Sequence, residues 1–162
     1  MYNETHWYWI VDGSTTQVWS SASFGYVAIS DTAYQAWLAS GNTPTKIIGG
    51  DMAEIQAEIA IDRGVAITSA STPSLNDTYA IGPSSQAAMN AVTTYILLNA
   101  KFPGSSTTQA WSDATGTVHV FPSTTVFEAF ATAVADYVAA VAVYGDSRGS
   151  IGSLPSPSIS II

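Results

Sequence analysis

The sequence predicts an α+β fold: a small N-terminal antiparallel β-hairpin or sheet with a helix, followed by a helix–hairpin–helix unit and an extended C-terminal tail. Three observations predict it. Aromatic and β-branched runs near the N-terminus are punctuated by turn residues, later segments repeat apolar residues at helical spacing, and Ser, Gly and Pro dominate from Asp146 onward. The corresponding divisions are 1–48, 49–145 and 146–162. With 162 residues, 47% of them apolar, the chain is long and greasy enough to bury a core.

His6-Trp7-Tyr8-Trp9-Ile10-Val11 reads as a strand, Asp12-Gly13 as a turn, and Gln17-Val18-Trp19-Ser20 as the returning strand. Trp7 and Trp9 fall on one strand face and Tyr8 on the other, so either at least one bulky ring stands at a surface or interface, or helices cover the sheet on both faces. Tyr26-Val27-Ala28-Ile29 adds a third short strand. Ser30 or Asp31 then caps a helix through Tyr34, Trp37 and Leu38, with Gly41 as its left-handed stop. Ile47-Ile48 suits a further short strand. Gly49-Gly50-Asp51 opens a second helix with Asp51 and Glu54 at capping-box spacing.

Val65-Ala66-Ile67-Thr68 and Tyr79-Ala80-Ile81 read as strands. Pro83 starts a third helix with the stripe Met89, Val92, Tyr95 or Ile96, and Asn99, and Phe102-Pro103-Gly104 stops it. A second hairpin joins Ala110-Trp111 to Val118-His119-Val120-Phe121. The final helix has Thr125 and Glu128 at capping-box spacing, an apolar face of Val126, Phe130, Val134, Tyr137 and Val141, and an alanine-rich opposite face. A Ser/Pro tail cannot pack on itself. Ile159, Ile161 and Ile162 are expected to anchor it as a short strand on a neighbouring protein's sheet, with Leu154 as a further docking residue; packing back on its own domain is the alternative.

Charge excludes several functions. Only 10% of residues are charged, and hydroxyls (39 Ser and Thr) keep the surface wet instead. Four cations, Lys46, Arg63, Lys101 and Arg148, against twelve carboxylates leave a net charge of -8, which offers a nucleic-acid backbone no positive footprint. There is no cysteine, hence no disulfide or thiolate chemistry. No uninterrupted apolar run reaches membrane-spanning length, and Met1-Tyr2-Asn3-Glu4 has no signal-like character, so synthesis in a cytoplasm is expected.

Catalytic motifs are thin. Gly145-Asp146-Ser147-Arg148-Gly149 matches the nucleophile-elbow pattern, but it follows a helix and both histidines precede it, against the order that chemistry requires. Asp51, Glu54 and Glu58 share a helix face and read as solvated. His6 and His119 have no metal-ligand companion at recognisable spacing, and His119, between Val118 and Val120, is expected on the solvent side. No active site, cofactor or metal is predicted.

The block Trp7-Tyr8-Trp9, Val18-Trp19-Ser20-Ser21-Ala22, Tyr26-Val27 and Asp31 through Pro44 resembles the N-terminal module of tailed-bacteriophage and prophage tail-fibre or tail-fibre-assembly proteins. Asp62-Arg63-Gly64, Tyr79-Ala80-Ile81, Ser84-Ser85-Gln86, Phe102-Pro103-Gly104, Trp111-Ser112-Asp113 and Phe127-Glu128-Ala129-Phe130 resemble a domain of unknown function that recurs in phage tail-fibre proteins. Together these cover roughly residues 6–145. The resemblance implies a non-enzymatic virion component, in or near the tail fibre or its attachment. It would be present in several copies with other phage proteins as partners; the residues themselves, with the tail after Asp146 outside the resemblance, suggest Trp7, Trp9 and the tail isoleucines as docking points, and neither nucleic acid nor membrane is expected as a partner. An assembly chaperone and a carbohydrate-binding adhesion domain, the latter resting on Trp7, Trp9, Trp19 and Trp111, are the alternatives.

Overall fold

The computed structural model describes residues 6–161 and is a mixed α+β fold with four helices. The chain divides into two units, Met1–Ile59 with Tyr144–Gly152 and Ala60–Val143 with Ser153–Ile162. The division therefore runs through the second helix, and the Ser/Pro tail is shared out between units instead of standing apart.

In the first unit, β1 (Tyr8–Val11), β2 (Gln17–Ser20) and β3 (Gly25–Ala28) form an antiparallel meander. β4 (Thr45–Ile47) joins the other edge of β1 in parallel, giving the order β3-β2-β1-β4. The sheet is thus mixed where a purely antiparallel one was expected. The return of the chain through α1 (Thr32–Ala39) is the crossover that a parallel neighbour needs.

Strand alternation sends Trp9 and Val11, with Trp19, to one face, where Met52 and Ile59 of α2 (Gly49–Arg63) cover them. Tyr8 and Val18 point to the other face and pack on Tyr34 and Trp37 of α1. Both faces are covered, so Trp9 and Tyr8 are only 1% and 2% exposed. Trp7 packs against both clusters, edge-on to Trp37 at 5.2 Å. Of the two readings of these rings, cover by helices on both faces describes Tyr8 and Trp9, while Trp7 stays half-buried.

The caps are specific. Asp31 Oδ1 accepts from the Tyr34 N–H at 3.0 Å, and Gly41 at φ 87° stops α1 as expected. The start of α2 is held by Asp12 from the β1–β2 turn, whose Oδ1 accepts from the Gly49 N–H at 2.9 Å. A carboxylate brought in from another element caps this helix, which the Asp51/Glu54 spacing does not reveal.

In the second unit, β5 (Val65–Ser69) pairs antiparallel with β6 (Asp77–Tyr79) across a short 3-10 turn at Pro73–Leu75. A hairpin of β7 (Gln109–Ser112) and β8 (Val118–Phe121) follows α3 (Pro83–Asn99). The core is aromatic: Tyr79, Phe102, Phe121, Phe127 and Phe130 are essentially inaccessible, and Trp111 stacks edge-on against Phe127 and Phe130. α4 (Thr124–Asp146) is capped by the Ser123 hydroxyl, which accepts from the Val126 N–H at 3.3 Å. The cap lies before the expected Thr125, and Phe127 joins the buried face with Phe130, Val134, Tyr137 and Val141 while Val126 is half-buried. By length and composition α4 could cross a membrane; here that face packs into the aromatic core.

The tail brings the main correction. Ser158–Ile161 forms β9, which pairs in parallel with β5 of the same chain, Ile67 opposite Ile159 and Ser69 opposite Ile161. The Ala66 N–H donates to the Pro157 carbonyl at 2.8 Å, and the Thr68 and Ser160 hydroxyls meet at 3.0 Å. The sheet order is β6-β5-β9. One edge of β5 is open to another strand, and a tethered segment fills it at a high effective concentration. The order of the tail therefore needs no neighbouring protein. Ile159, Ile161 and Leu154 are half-buried, and Ile162 lies outside the described residues.

Gly64 ends α2 at φ 80°, and a Cβ there would sit 2.4 Å from the Tyr79 carbonyl oxygen. Gly116, at φ 91°, has open space around it. Gly116→Ala should cost about 1–2 kcal/mol for the left-handed backbone alone. Gly64→Ala should cost clearly more, because backbone must also move; urea unfolding of the two variants side by side measures the difference.

Candidate functional site

The densest polar cluster among the described residues lies in the second unit, around Asp113 at the end of the β7–β8 hairpin. Residues 113–117 form the turn. Asp113 Oδ1 accepts from the Thr115 N–H at 2.7 Å, the Thr115 hydroxyl at 2.8 Å and the Thr117 N–H at 2.9 Å. The Ala114 N–H donates to the Thr78 carbonyl at 2.8 Å, which ties the turn to β6. One oxygen of a fully covered carboxylate is thus saturated by the turn it organises, leaving Oδ2 directed elsewhere.

That second oxygen faces His119. The hairpin register sets His119 opposite Trp111, on the inner face with Phe121, whereas Val118 and Val120 are 60% and 52% exposed. The expectation that His119 lies on the solvent side is overturned: its side chain is 10% exposed. An imidazole tolerates burial when both nitrogens find partners, and here they do. Nδ1 lies 2.7 Å from the Ser74 carbonyl oxygen, an acceptor, so it carries the proton. Nε2 lies 3.2 Å from Asp113 Oδ2 and 3.7 Å from Asp77 Oδ2. The ring also tilts against Tyr79, 5.5 Å between centroids.

Charge in this cluster is strongly perturbed. Burial opposes ionisation of Asp113, but hydrogen bonds from His119, Thr115 and the Thr117 and Thr115 backbone outweigh it and hold the carboxyl well below the usual range. The Ser74 carbonyl, together with Asp113 and Asp77, raises the pKa of His119 against its burial. Burial first, then the charges of Asp77 and Asp113, push the Tyr79 phenol up to about 12. His119 is bonded to a carbonyl and a carboxylate and to no hydroxyl, so the cluster lacks the geometry of a serine-type nucleophile. Each of Asp77, Asp113 and His119 offers one ligand atom, all within 4.8 Å of one another. Sequence spacing hid this, because Asp77 reaches the hairpin only through the pairing of β6 with the 113–117 turn.

The other sequence candidates lie elsewhere. Trp9 and Trp19 are core residues in edge contact at 5.3 Å and present no face to a ligand. The Trp7 indole donates to the Thr45 hydroxyl at 2.9 Å. Ile159 and Ile161 line a groove of about 600 Å³ with Ala133 and Tyr137 of α4, where the Tyr137 hydroxyl is buried without a hydrogen-bond partner. The Ser147 hydroxyl donates to the Tyr144 carbonyl at 3.0 Å, a local turn contact. Asp51 and Glu54 both pair with Arg148, while Glu58 is exposed.

No protein-family model, curated protein or solved structure matches the chain.

The two shifts set a pH profile for chelator-treated protein. The His119 pKa is raised on folding, so its stabilisation is complete below its unfolded value of 6.5 and is lost as pH climbs through the folded value. The Asp113 pKa is lowered, so its contribution holds above 3.8 and is lost as pH falls through the folded value. Denaturation midpoints should decline on both sides of that window, and His119→Gln should flatten the alkaline limb.

Proposed function

We propose that the chain is a non-enzymatic structural component of a bacteriophage virion, in or near the tail fibre or its attachment to the tail. The resemblance of residues 6–145 to phage tail-fibre proteins supports the reading. One structural observation carries it further. Leu97 and Leu98 of α3 are 79% and 76% exposed, on a protein with little charge to keep such a surface solitary. Adjacent large aliphatic side chains in water are characteristic of surfaces that meet other proteins. The residues that carry the resemblance act mainly as scaffold. Asp31 caps α1, Trp37 and Tyr34 cover the first sheet, and Phe127 and Phe130 centre the second core.

The reading is tested on purified particles. Quantitative mass spectrometry should find the chain at a fixed ratio to the other virion proteins after stringent washing, and Leu97→Glu with Leu98→Glu should lower that ratio without unfolding the protein. A chain abundant in lysates but lost from washed particles, with fibres misassembled when its gene is deleted, would make it an assembly chaperone instead.

A further inference from the structure

We propose that Asp77, Asp113 and His119 form a binding site for one divalent first-row transition cation of the zinc type. The inference is independent of the virion reading. It begins with the orientation of the imidazole. Nδ1–H is spent on the Ser74 carbonyl at 2.7 Å, so Nε2 is the nitrogen that faces the two carboxylate oxygens, and an ion bound there would take the place of the Nε2 proton. Nε2 and the two carboxylate oxygens thus converge on one point, where either the imidazolium proton or a bound cation balances the charge.

A proton on Nε2 serves only one of the two carboxylates. Charge-assisted N–H···O bonds run about 2.7–2.9 Å. Asp113 Oδ2 at 3.2 Å is long for one, and Asp77 Oδ2 at 3.7 Å is out of reach. These separations are instead close to ligand-to-ligand edges around a shared ion. Bonds of about 2.0–2.2 Å to zinc place tetrahedral neighbours roughly 3.3–3.6 Å apart. The three ligand atoms lie within 4.8 Å of one another, close enough to share one ion, whereas a proton on Nε2 bonds one carboxylate.

The surroundings are those of a supported site. The His119 bond to a backbone carbonyl fixes the tautomer and leaves Nε2 as the ligand atom, the usual outer contact of metal-bound histidine. The Asp113 side chain is fully buried, and three donors on Oδ1 clamp it so that Oδ2 stays aimed inward. Asp77 is 41% exposed and provides the solvent side through which an ion enters. One imidazole with two carboxylates favours zinc-like ions over magnesium or calcium, which prefer all-oxygen shells. Three protein ligands leave a position for water. The ion would join β6 to the β7–β8 hairpin and, through Ser74, the 3-10 turn.

Isothermal titration of the chelator-stripped full chain with Zn²⁺ tests this, with Co²⁺ absorption and thermal melting alongside. One saturable site per chain is expected, with a visible Co²⁺ band and a melting temperature raised by Zn²⁺ and much less by Mg²⁺. Asp77→Asn, on a half-exposed side chain, should fold normally and weaken binding about 10–100-fold. His119→Gln should abolish it, and His6→Ala should leave it unchanged. Absence of a saturable site, binding undiminished in Asp77→Asn, or loss of binding in His6→Ala would each overturn the assignment. Should His119→Gln fail to fold, the Asp77→Asn comparison still decides.

Discussion

Burying the carboxylate of Asp113 obliges the second unit to supply it with hydrogen-bond donors, and much of the local architecture follows from how it does so. Thr115 and Thr117 curl around Oδ1, which shapes the turn, and the turn in register aligns β7 with β8. His119 must then face inward to meet Oδ2, and its other nitrogen draws in the Ser74 carbonyl. A buried charge without such partners would be prohibitively costly. With them it specifies one turn conformation and one strand register, a use of polarity that apolar packing alone does not replace.

The first unit meets a different constraint. A four-stranded sheet with aromatic residues on both faces has no side that water can wet, so it needs a cover above and below. α1 supplies one cover through Tyr34 and Trp37, and α2 supplies the other through Met52 and Ile59. The short loops between these elements follow, since each helix must lie directly over the strands that flank it in sequence. Asp12 serves both layers, closing the first hairpin at φ 49° and capping α2.

Local chemistry was legible in the residues; distant pairing was not. The Asp31 cap, the Gly41 stop, the strand alternation of β1, the buried Met89 and Ile96 of α3 and the buried Phe130, Val134, Tyr137 and Val141 of α4 each arise from neighbours within a few positions, and each can be read from spacing, whereas Asn99 of the expected α3 stripe is exposed. The side on which His119 lies cannot. Valines flanking a histidine suggest an outward imidazole, and only a buried carboxylate six residues earlier reverses the choice. The two-sided cover of the first sheet, the Asp12 cap on α2 and the meeting of Asp77 with Asp113 likewise depend on contacts between elements far apart in the chain. For the same reason the tail isoleucines signalled a strand but not whose sheet would receive it.

The parallel pairing of β5 with β9 joins residues 92 positions apart. At a translation rate of about 5–20 residues per second, β9 emerges roughly 5–18 s after β5. For that interval one rim of β5 carries bare amides and carbonyls while its aromatic surroundings are condensing. A nascent polypeptide with such a vacancy is exposed to capture by its siblings on the same messenger, and the proline- and serine-rich stretch before β9 is long enough to permit an exchange. Crowding of ribosomes along the transcript thus becomes a variable in how this sheet is completed.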